Sequence, residues 1–430
     1  MHIFFSGIGG VGISPLALIA HQAGFRVSGS DKQNSRTIDY LKNQGISDIT
    51  IGQSRDQIEA INTKNKIDWF VYSSAISFEQ PNSEEIAFCS AHNINTSKRD
   101  DFLNFFLKEK GLQLVAISGT HGKSTTTAMI IWLFKKLGIP ISYIVGAKID
   151  FGDSGHYDVN SKLFIYEADE FDNNFLSFTP HLSSISGVSW DHHEIFETRD
   201  KYKAAFVDFI SKSNRSILWK TDVKYLNLKT QENLVIIDND LDYKNVVLVG
   251  KYNRLDAYLA IKTVGLLTGK SEDMLTTLIN KFPGLDRRME PIIENLYSDY
   301  AHTPEKIIGA MDTAREIAEK NHQDIYVVYE PLTDRRQHYI LNQYRDCFLG
   351  AKHVYWLPSY LAREDPKLPI LDPKELISYL SDPTIASEAK MDDKLLETIN
   401  HHLKEGSIVV AINGGGGNGL DEWLRDKFKS

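Results

Sequence analysis

Short apolar runs alternate with longer segments of helical periodicity along much of the chain, and glycines separate many of them. The clearest case lies between Leu114 and Gly138. Leu114 begins a run of four apolar residues that is typical of a buried strand, and apolar residues recur at helical spacing from Ala128 to Leu137. Gly138 is a typical helix-ending residue. The segment therefore predicts a strand, a glycine-containing turn and a helix.

The same alternation predicts further strands, at residues 2–5, 26–28, 69–73, 163–166, 182–188, 325–329 and 407–412. A helix over residues 13–23 ends at Gly24. Another begins at Thr303-Pro304-Glu305, where a capping residue is followed by proline at the first helical position and by an early acid. Strands that alternate with helices are typical of an α/β fold with parallel sheets.

The length of the chain bears on its division into domains. At 430 residues it is too long for one ordinary hydrophobic core. We predict three domains, at residues 1–108, 109–284 and 285–430. The expected fold is α/β throughout, with mainly parallel sheets.

Composition restricts the class of partner. A formal net charge of −9 argues against a general affinity for nucleic acids or anionic membranes, so we expect a small-molecule partner and neither of those. The two cysteines, Cys89 and Cys347, form no metal-type or redox-type spacing, and the N-terminus resembles neither a signal peptide nor a membrane anchor. We expect a cytoplasmic protein that is a monomer or a weak homodimer.

The turn after the Leu114 strand carries the first candidate chemistry. It reads Gly119-Thr-His-Gly122-Lys123-Ser124. At a strand-to-helix turn, the first N–H groups of the helix are free to bind a phosphate chain, while a lysine adds charge and a hydroxyl can bind Mg²⁺. The general P-loop signature has a glycine where Ile117 stands, so this loop is a shortened relative. A tight turn without a ligand is the alternative.

A second glycine loop follows the first predicted strand. Gly7-Ile-Gly9-Gly-Val-Gly12 is a complete GxGxxG pattern, and Asp31 follows the second strand near the spacing of a ribose-binding acid. Alone, the pattern would indicate an NAD-dependent dehydrogenase, or a glycine turn that serves only helix–strand packing. Because the chain also carries the loop at Gly119, we expect it to bind two nucleotides.

Acidic residues and histidines follow two strands of the central region. Glu167, Asp169, Glu170 and Asp172 form either a solvated acidic turn, which their spacing alone favours, or a Mg²⁺ site. His192 lies beside Asp191 after the next strand. Because the carboxyl ends of parallel strands meet at one edge, the phosphate loop, the acids and His192 are expected to converge there, where a neutral imidazole suits a metal ligand.

Several motifs in order resemble the Mur ligase family, the ATP-dependent enzymes that add amino acids to UDP-N-acetylmuramic acid in peptidoglycan synthesis. The similarity extends over essentially the whole chain. It rests on FSGIGGVGIS, VSGSD, SSAI, GTHGKSTTT, EADEFDNNFL, WDHHEIF, KYNRLDAYLA, GLDRRME, SDYAHTP and YLAREDP. The resemblance implies that the N-terminal loop binds UDP-N-acetylmuramate rather than NAD, and that the central loop binds ATP with Mg²⁺. It also implies an N-terminal Rossmann-like domain, a central P-loop ATPase-like domain with a mainly parallel sheet, and a C-terminal Rossmann-like domain.

The resemblance also assigns expected roles to single residues. Those expected to bind the sugar nucleotide or the amine are Gly7, Ile8, Gly9, Gly10, Gly12, Asp31, Ser73, Ser74, Ala75, His121, Tyr300, His302 and Arg336. Those expected to bind ATP are Gly119, Thr120, His121, Gly122, Lys123, Ser124, Thr125, Asn253, Arg288 and Asp299. The expected Mg²⁺ ligands are Ser124, Glu167 and His192, and the expected catalytic residues are Lys123, Glu167, His192 and Arg288.

The amine substrate is less well specified. The motifs most resemble the branch of the family that uses L-alanine, and Arg336 matches its pattern. The Glu330-Pro331-Leu332-Thr333 segment and the glycine-rich stretch from Asn413 to Gly419 depart from that pattern and resemble the branch that attaches a recycled tripeptide. An NAD-dependent oxidoreductase and a non-catalytic nucleotide-binding protein remain the alternatives from other classes.

Overall fold

The computed structural model describes residues 1–73, 83–192, 195–239, 245–361, 367–414 and 419–428. These residues fall into two compact units. The first comprises the described residues of 1–242 and 256–282, and the second those of 243–255 and 283–430. Two sheets belong to the first unit and one to the second. The domain boundaries at residues 108 and 284 stay predictions.

The N-terminal sheet has five parallel strands: β1 (His2–Ser6), β2 (Arg26–Asp31), β3 (Ile49–Ile51), β4 (Trp69–Tyr72) and β5 (Asn95–Lys98). Its helices are α1 (Ser14–Gln22), α2 (Arg36–Asn43), α3 (Arg55–Lys64), α4 (Glu84–Ala91) and α5 (Arg99–Glu109). The strand order is β3-β2-β1-β4-β5, so the winding reverses between β1 and β4. A doubly wound sheet opens a ligand crevice at the carboxyl ends of its strands where the winding reverses, and the glycine loop follows β1 there.

The central sheet has seven strands: β6 (Gln113–Ser118), β7 (Ser142–Ile144), β8 (Gly155–His156), β9 (Leu163–Glu167), β10 (Leu182–Ile185), β11 (Ser216–Trp219) and β12 (Leu234–Ile237). Its helices are α6 (Lys123–Leu137), α7 (Arg199–Lys212), α8 (Lys220–Tyr225), α9 (Lys251–Thr268, from Asp256 in this unit) and α10 (Glu272–Ile279), with a 3₁₀ helix at Phe171–Ser177.

The order of the central sheet is β12-β11-β10-β6-β9-β7-β8, and its neighbouring strands are parallel apart from the β7–β8 pair. Strand β6 lies between β9 and β10. Backbone hydrogen bonds continue this arrangement past the strand ends, because the N–H of Ala168 donates to Ile117 O at 2.9 Å and the N–H of Ser186 donates to Ser118 O at 2.9 Å. The three segments predicted to converge therefore leave the sheet side by side.

Helix α5 joins the cores of the two sheets in the first unit. Its Phe102 ring meets Phe5 of β1 edge-on at 5.4 Å between centroids, and its Phe106 ring meets Phe164 of β9 at 6.2 Å. All four side chains are fully buried. Gly155 of β8 also lies against Pro15 of α1, where a Cβ atom would come within 2.7 Å of the proline carbonyl oxygen. The two sheets therefore share one apolar core.

The sheet of the second unit has six strands: β13 (Glu290–Ile293), β14 (Leu296–Asp299), β15 (Ile325–Glu330), β16 (His353–Trp356), β17 (Ala386–Glu388) and β18 (Ile408–Asn413). Its helices are α11 (Pro304–Asn321), α12 (Asp334–Ile340), α13 (Pro373–Ile377), α14 (Asp393–Lys404) and α15 (Leu420–Phe428), with 3₁₀ helices at Leu341–Gln343 and Pro383–Ile385. The order is β13-β14-β18-β15-β16-β17, and within this sheet the described strand pairs are parallel apart from β13–β14.

The α/β fold with three mainly parallel sheets confirms the sequence prediction, with small differences in extent. Helix α6 begins at Lys123 and is longer than its apolar periodicity indicated. Strand β10 ends at Ile185, earlier than predicted, and Gly187 has a φ of 152°. Thr303 occupies the N-cap of α11 as expected, but its side chain makes no capping hydrogen bond. No helix in the described part of the chain is long and apolar enough to span a bilayer.

Gly29 in β2 gives a test of this packing. A Cβ atom there would collide with Phe5 O of β1 and come within 2.8 Å of Ile8 Cδ1. We expect Gly29→Ala to lower the free energy of unfolding by roughly 1–3 kcal/mol through overpacking. Urea or thermal unfolding followed by circular dichroism measures this.

The matched control is Gly265→Ala in α9, where the nearest atom to a new Cβ lies at 3.6 Å. This change should be neutral or stabilise the helix by about 0.5–1 kcal/mol. Equal unfolding midpoints for the two variants would contradict the close approach of β1 and β2.

Candidate active site

The central glycine loop connects β6 to α6 and contacts the segment that follows β10. A Cβ atom at Gly119 would lie 2.5 Å from Ser186 Oγ, and one at Gly122 would collide with the Asp256 carboxylate. Both glycines also have positive φ, 142° and 74°. Only glycine fits these two positions without displacing a neighbour, so the close approach of Ser186 and Asp256 to the loop backbone depends on both glycines.

Thr120 and His121 hold this loop against the segment that follows β10 through hydrogen bonds. The Thr120 N–H donates to Gly187 O at 2.8 Å, and its hydroxyl donates to Ser189 O at 2.6 Å. A ring nitrogen of His121 lies 2.6 Å from Ser189 Oγ, and the Tyr202 hydroxyl lies 2.7 Å from Thr120 Oγ1. Both residues were predicted to contact ATP, and the structure shows them bonded to the protein.

Helix α6 begins directly after the loop. Its N-cap, Gly122, has no side chain, and the first turn contains Lys123, Ser124 and Thr125. The early N–H groups of a helix have no intrahelical partner and carry partial positive charge, which favours a bound anion. The predicted phosphate-binding residues therefore lie in one turn.

Lys123 forms a buried ion pair. Its ammonium donates to Gly119 O and to Glu170 Oε2, each at 2.7 Å. The side chain of Glu170 is 1% exposed. Burial alone would raise the pKa of this carboxyl, but Lys123 and His192 outweigh it and lower the pKa to about 2. Burial likewise opposes ionisation of Lys123, yet the adjacent carboxylates, Glu170 first, raise its pKa.

Ser124 and Glu167 come together as predicted. The Ser124 hydroxyl donates to Glu167 Oε1 at 2.8 Å, and the Gly146 N–H donates to Glu167 Oε2 at 2.8 Å. Burial raises the pKa of Glu167, although Lys123 and both hydrogen bonds act in the opposite direction. A hydroxyl and a carboxylate are the oxygen ligands that Mg²⁺ prefers.

His192 lies with a different acid. Its Nε2 is 3.5 Å from Glu170 Oε1, and ligand atoms of Asp169, Glu170 and His192 lie within 4.8 Å of one another. The structure thus pairs Ser124 with Glu167 and His192 with Glu170. Lys123 links the two pairs, because it directly precedes Ser124 in the chain and its ammonium bonds to Glu170. His193, the second histidine of the motif, lies outside the described residues.

The N-terminal glycine loop folds back on β2. The N–H groups of Gly7 and Ile8 donate to Ser30 O at 2.8 and 2.9 Å. The Gly9 N–H donates to Asp31 Oδ2 at 2.8 Å. Asp31, predicted to bind the substrate, therefore fixes the shape of the loop in this structure.

The remaining predicted residues of this loop lie nearby. The N–H of Gly10 donates to Gly7 O at 2.9 Å. Gly12 contacts Arg99, whose guanidinium would collide with any Cβ atom at this position. Ser73 directly follows β4 and is partly buried, whereas Ser74 and Ala75 lie outside the described residues.

In the second unit, two arginines surround Tyr300. The Arg287 guanidinium lies 4.5 Å from the centre of the Tyr300 ring, and Arg288 Nη1 donates to Tyr300 O at 3.0 Å. Asp299 accepts the Met289 N–H at 2.8 Å. Burial raises the pKa of Asp299 to about 6, although Arg288 acts against it. The predicted residues Arg288, Asp299 and Tyr300 are therefore neighbours.

The two segments that depart from the L-alanine pattern meet at the end of this sheet. Glu330 and Asn413 are paired at the carboxyl ends of β15 and β18. Glu330 Oε2 accepts the Leu420 N–H at 3.0 Å, and Asn413 Oδ1 accepts from Arg287 at 2.6 Å. Residues 415–418 of the glycine-rich stretch lie outside the described residues.

Three further predicted residues belong to the second unit. The His302 ring meets Tyr300 at 4.9 Å between centroids. Arg336 lies in α12, and its N–H donates to Thr333 O at 3.0 Å. Asn253 donates to Val249 O at 2.8 Å. The structure therefore places His302 with Tyr300.

Comparison with protein families gives two matches. Residues 2–110 match the Mur ligase family catalytic domain, and residues 117–256 match the Mur ligase middle domain. Together these matches span more than half of the chain. The chain belongs to the Mur ligase family.

Individual relatives agree with this family. The chain is 28% identical to a UDP-N-acetylmuramate–L-alanine ligase of Caldicellulosiruptor bescii over 96% of this chain and 95% of the relative. It is 27% identical to one of Clostridium acetobutylicum with the same coverage. The match covers nearly the whole length of both relatives, so it includes most of this chain beyond residue 256.

Solved structures show the same fold. The UDP-N-acetylmuramate–alanine ligase of Thermotoga maritima aligns with a TM-score of 0.75 at 21% identity, over 100% of this chain and 98% of that one. A murein peptide ligase of Psychrobacter arcticus aligns with a TM-score of 0.65 at 20% identity, over 99% and 98%. At these identities the likeness concerns the fold alone.

Mur ligases depend on ATP, generally with Mg²⁺. The residues present here fit both groups. Gly119 and Gly122 carry no side chain, and the start of α6 with Lys123 directly follows them. Ser124 and Glu167 supply oxygen atoms suited to Mg²⁺ at the same sheet edge.

Sequence reasoning missed three residues around these loops. Glu170 belongs to the acidic run, but sequence reasoning assigned it no role of its own. Its place three residues after Glu167, just past the end of the same strand, was the signal that it lies near the phosphate loop. Tyr202, which contacts Thr120 and Glu170, and Arg99, which contacts Gly12, are far from these partners in sequence. No local pattern indicates such contacts.

Asp222 of α8 gives a pH test of the segment that follows β10. Its Oδ1 accepts the Val188 N–H at 3.1 Å, and burial raises its pKa to about 7. The folded state therefore binds more protons than the unfolded state between about pH 4 and 7, and stability falls as pH rises through this window by about 1.4 kcal/mol per pH unit from this group.

Asp222→Asn keeps the acceptor but removes the titration. Relative to the natural protein, we expect the variant to gain stability as pH rises from 4 to 7, with a constant difference above that range. Urea unfolding at pH 4, 5.5, 7 and 8 measures this. Parallel stability curves for the two proteins would contradict the raised pKa.

Proposed function

We propose that this protein is an ATP-dependent amide ligase that joins L-alanine to UDP-N-acetylmuramate through an acyl phosphate. The observation that carries the proposal is the meeting of the Ser124–Glu167 pair with the Lys123–Glu170 ion pair at one edge of the central sheet. The name and full-length coverage of the relatives support the choice of substrates.

The first step would be attack of a substrate carboxylate oxygen on the γ-phosphorus of ATP, which forms the acyl phosphate and breaks the bond to the β,γ-bridging oxygen, so that ADP leaves. Such phosphoryl transfer is catalysed mainly by positioning and by electrostatic stabilisation of the phosphate oxygens. Lys123 and the N-terminal N–H groups of α6 would supply positive charge. Bound Mg²⁺, held by Ser124 and Glu167 with His192 nearby, would neutralise further phosphate charge.

The second step would be attack of the alanine amine on the acyl phosphate. The amine must be unprotonated when it attacks; its nitrogen then loses one proton to solvent, and the tetrahedral oxyanion expels phosphate to leave an amide. Water would hydrolyse the acyl phosphate, so the reacting groups must be shielded from solvent. We assign Arg288, Asp299, Tyr300 and His302 to contacts with the nucleotide and the amine, with Arg336 as a further amine contact.

The sugar nucleotide would bind at the N-terminal glycine loop. The N–H groups of Gly7 to Gly10 are bonded within the protein, so the positive end of the α1 dipole, directly after the loop, would attract its diphosphate. Asp31 would act by holding Gly9 in place as well as by contacting substrate. On this proposal residues 1–108, 109–284 and 285–430 are the UDP-sugar, ATP and amine domains, and Asn253 lies on the adenine side of ATP.

A murein peptide ligase is the second candidate. The observation that favours it is the pairing of Glu330 with Asn413, because both belong to segments that depart from the L-alanine pattern. An NAD-dependent oxidoreductase has less support, since it would give no role to Lys123 or to the Ser124–Glu167 pair.

Lys123→Ala tests the ligase chemistry. We expect phosphate release with UDP-N-acetylmuramate and L-alanine to fall by about 10²–10³-fold, because phosphate charge is no longer stabilised. Binding of UDP-N-acetylmuramate, measured by calorimetry, should persist, since the N-terminal glycine loop proposed to bind it belongs to a different sheet from Lys123. Lys201→Ala is the control, because this exposed lysine pairs only with Glu197 among the described contacts. Equal losses in both variants would remove Lys123 from the reaction.

A panel of amines tests the substrate. We expect the highest kcat/KM for L-alanine when phosphate release is compared with L-serine, glycine and L-Ala-γ-D-Glu-diaminopimelate. A site that fits one methyl side chain discriminates by about 10–200-fold per methylene. A clear preference for the tripeptide would instead establish the murein peptide ligase.

A further inference from the structure

Glu170 has no assigned role in the reaction set out above, yet it contacts two groups that do. One carboxylate oxygen accepts from the Lys123 ammonium at 2.7 Å, and the other lies 3.5 Å from His192 Nε2. The Tyr202 hydroxyl donates to that second oxygen at 3.3 Å. Asp172, two residues later, pairs with Lys98 at 3.7 Å and is partly exposed. The acidic segment is therefore not a uniformly solvated turn.

The Lys123 contact limits what the lysine can do. An ammonium has three hydrogens, and here Glu170 and Gly119 O accept two of them. The third remains available for a phosphate oxygen. A lysine side chain without such anchors has several rotatable bonds and loses their freedom when it binds. Glu170 removes that freedom before the nucleotide arrives.

The His192 contact acts on a strained residue. His192 has a φ of 55°, which non-glycine residues adopt at a cost of about 1 kcal/mol or more. Its N–H donates to the Asp191 carboxylate at 2.7 Å, and Phe171 meets its ring at 5.2 Å. Glu170 supplies a polar contact at the far end of the ring, so backbone and imidazole are held from both sides.

A second connection joins Glu170 to the phosphate loop. The Tyr202 hydroxyl lies within hydrogen-bond distance of both Glu170 and Thr120, whose own side chain contacts the Ser189 segment. The carboxylate therefore reaches the loop directly through Lys123 and indirectly through Tyr202. Removing it would disturb the orientation of the loop lysine more than the course of the sheet.

We propose that Glu170 is a positioning residue: it fixes Lys123 and His192 in the orientation that receives the outer phosphates of ATP and their metal ion. It acts through these two side chains. The inference rests on the proposed function for the identity of the reaction, but the contacts to Lys123 and His192 are independent of the amine and of the sugar nucleotide.

Glu170→Gln tests this role, because the amide has the same shape without the charge. The matched control is Glu197→Gln, which makes the same chemical change at an exposed glutamate. We expect E170Q to lower kcat for phosphate release by about 10–100-fold, as loss of a group that orients metal or phosphate ligands does. KM for UDP-N-acetylmuramate should be unchanged, and calorimetry should show weaker binding of Mg²⁺ with a non-hydrolysable ATP analogue. E197Q should behave as the natural protein.

Chemical rescue separates positioning from a purely structural role. In Glu170→Ala, added formate should restore at least part of the lost phosphate release, whereas formamide should not. Formate should give no rescue in Lys123→Ala, which lacks the side chain to be positioned. Activity of E170Q within threefold of the natural protein would overturn the proposal, as would absence of formate rescue in a folded E170A.

Two further outcomes are distinguishable. Breaking a buried ion pair can unfold a protein. If E170Q unfolds, Glu170→Asp is the replacement variant, because it retains the charge on a side chain one methylene shorter. A folded Glu170→Asp enzyme that is at least tenfold slower supports the proposal, and full activity overturns it. Should the natural protein release no phosphate with UDP-N-acetylmuramate and any amine, the proposed function fails. Nucleotide binding by E170Q against E197Q still tests the role of Glu170.

Discussion

The register of three parallel strands is the constraint on which the candidate site depends. Strand β6 pairs with β9 on one side and β10 on the other, so the loops that follow them begin at the same edge. A slip of one residue would turn alternate side chains to the other face of the sheet. Glu167 would then leave Ser124, and neither the hydroxyl–carboxylate pair nor the neighbouring ion pair could form.

Much of this arrangement could be predicted from the sequence. The apolar runs and glycines indicated the strands, the two loops and the helix at Lys123, because each depends on local propensity. The convergence of Ser124 with Glu167 followed from the rule for parallel strand ends. The pairing of His192 with Glu170 rather than with another acid did not follow, since side-chain packing across loops decides it and spacing does not.

Contacts between distant segments explain the other omissions. Arg99 reaches Gly12 only because α5 packs against both sheets, and Tyr202 reaches Thr120 only because α7 packs on Phe175 of the 3₁₀ helix. Asp31 illustrates the reverse. Its position in sequence indicated a ribose ligand, but the structure shows that it also accepts the Gly9 N–H. The type and spacing of a residue therefore predicted where its side chain lies better than which group it contacts.

The core shared by the N-terminal and central sheets has a further consequence. Because α5 packs on both sheets through Phe102 and Phe106, the two glycine loops belong to one compact unit, and a change in the distance between them would have to repack this buried core. On the proposed function, the distance between the two loops selects the sugar nucleotide by its length. A sugar nucleotide must be long enough to lie with its diphosphate on one loop and its carboxylate at the other, so molecules of the wrong reach are rejected by length before any contact with the amine is made.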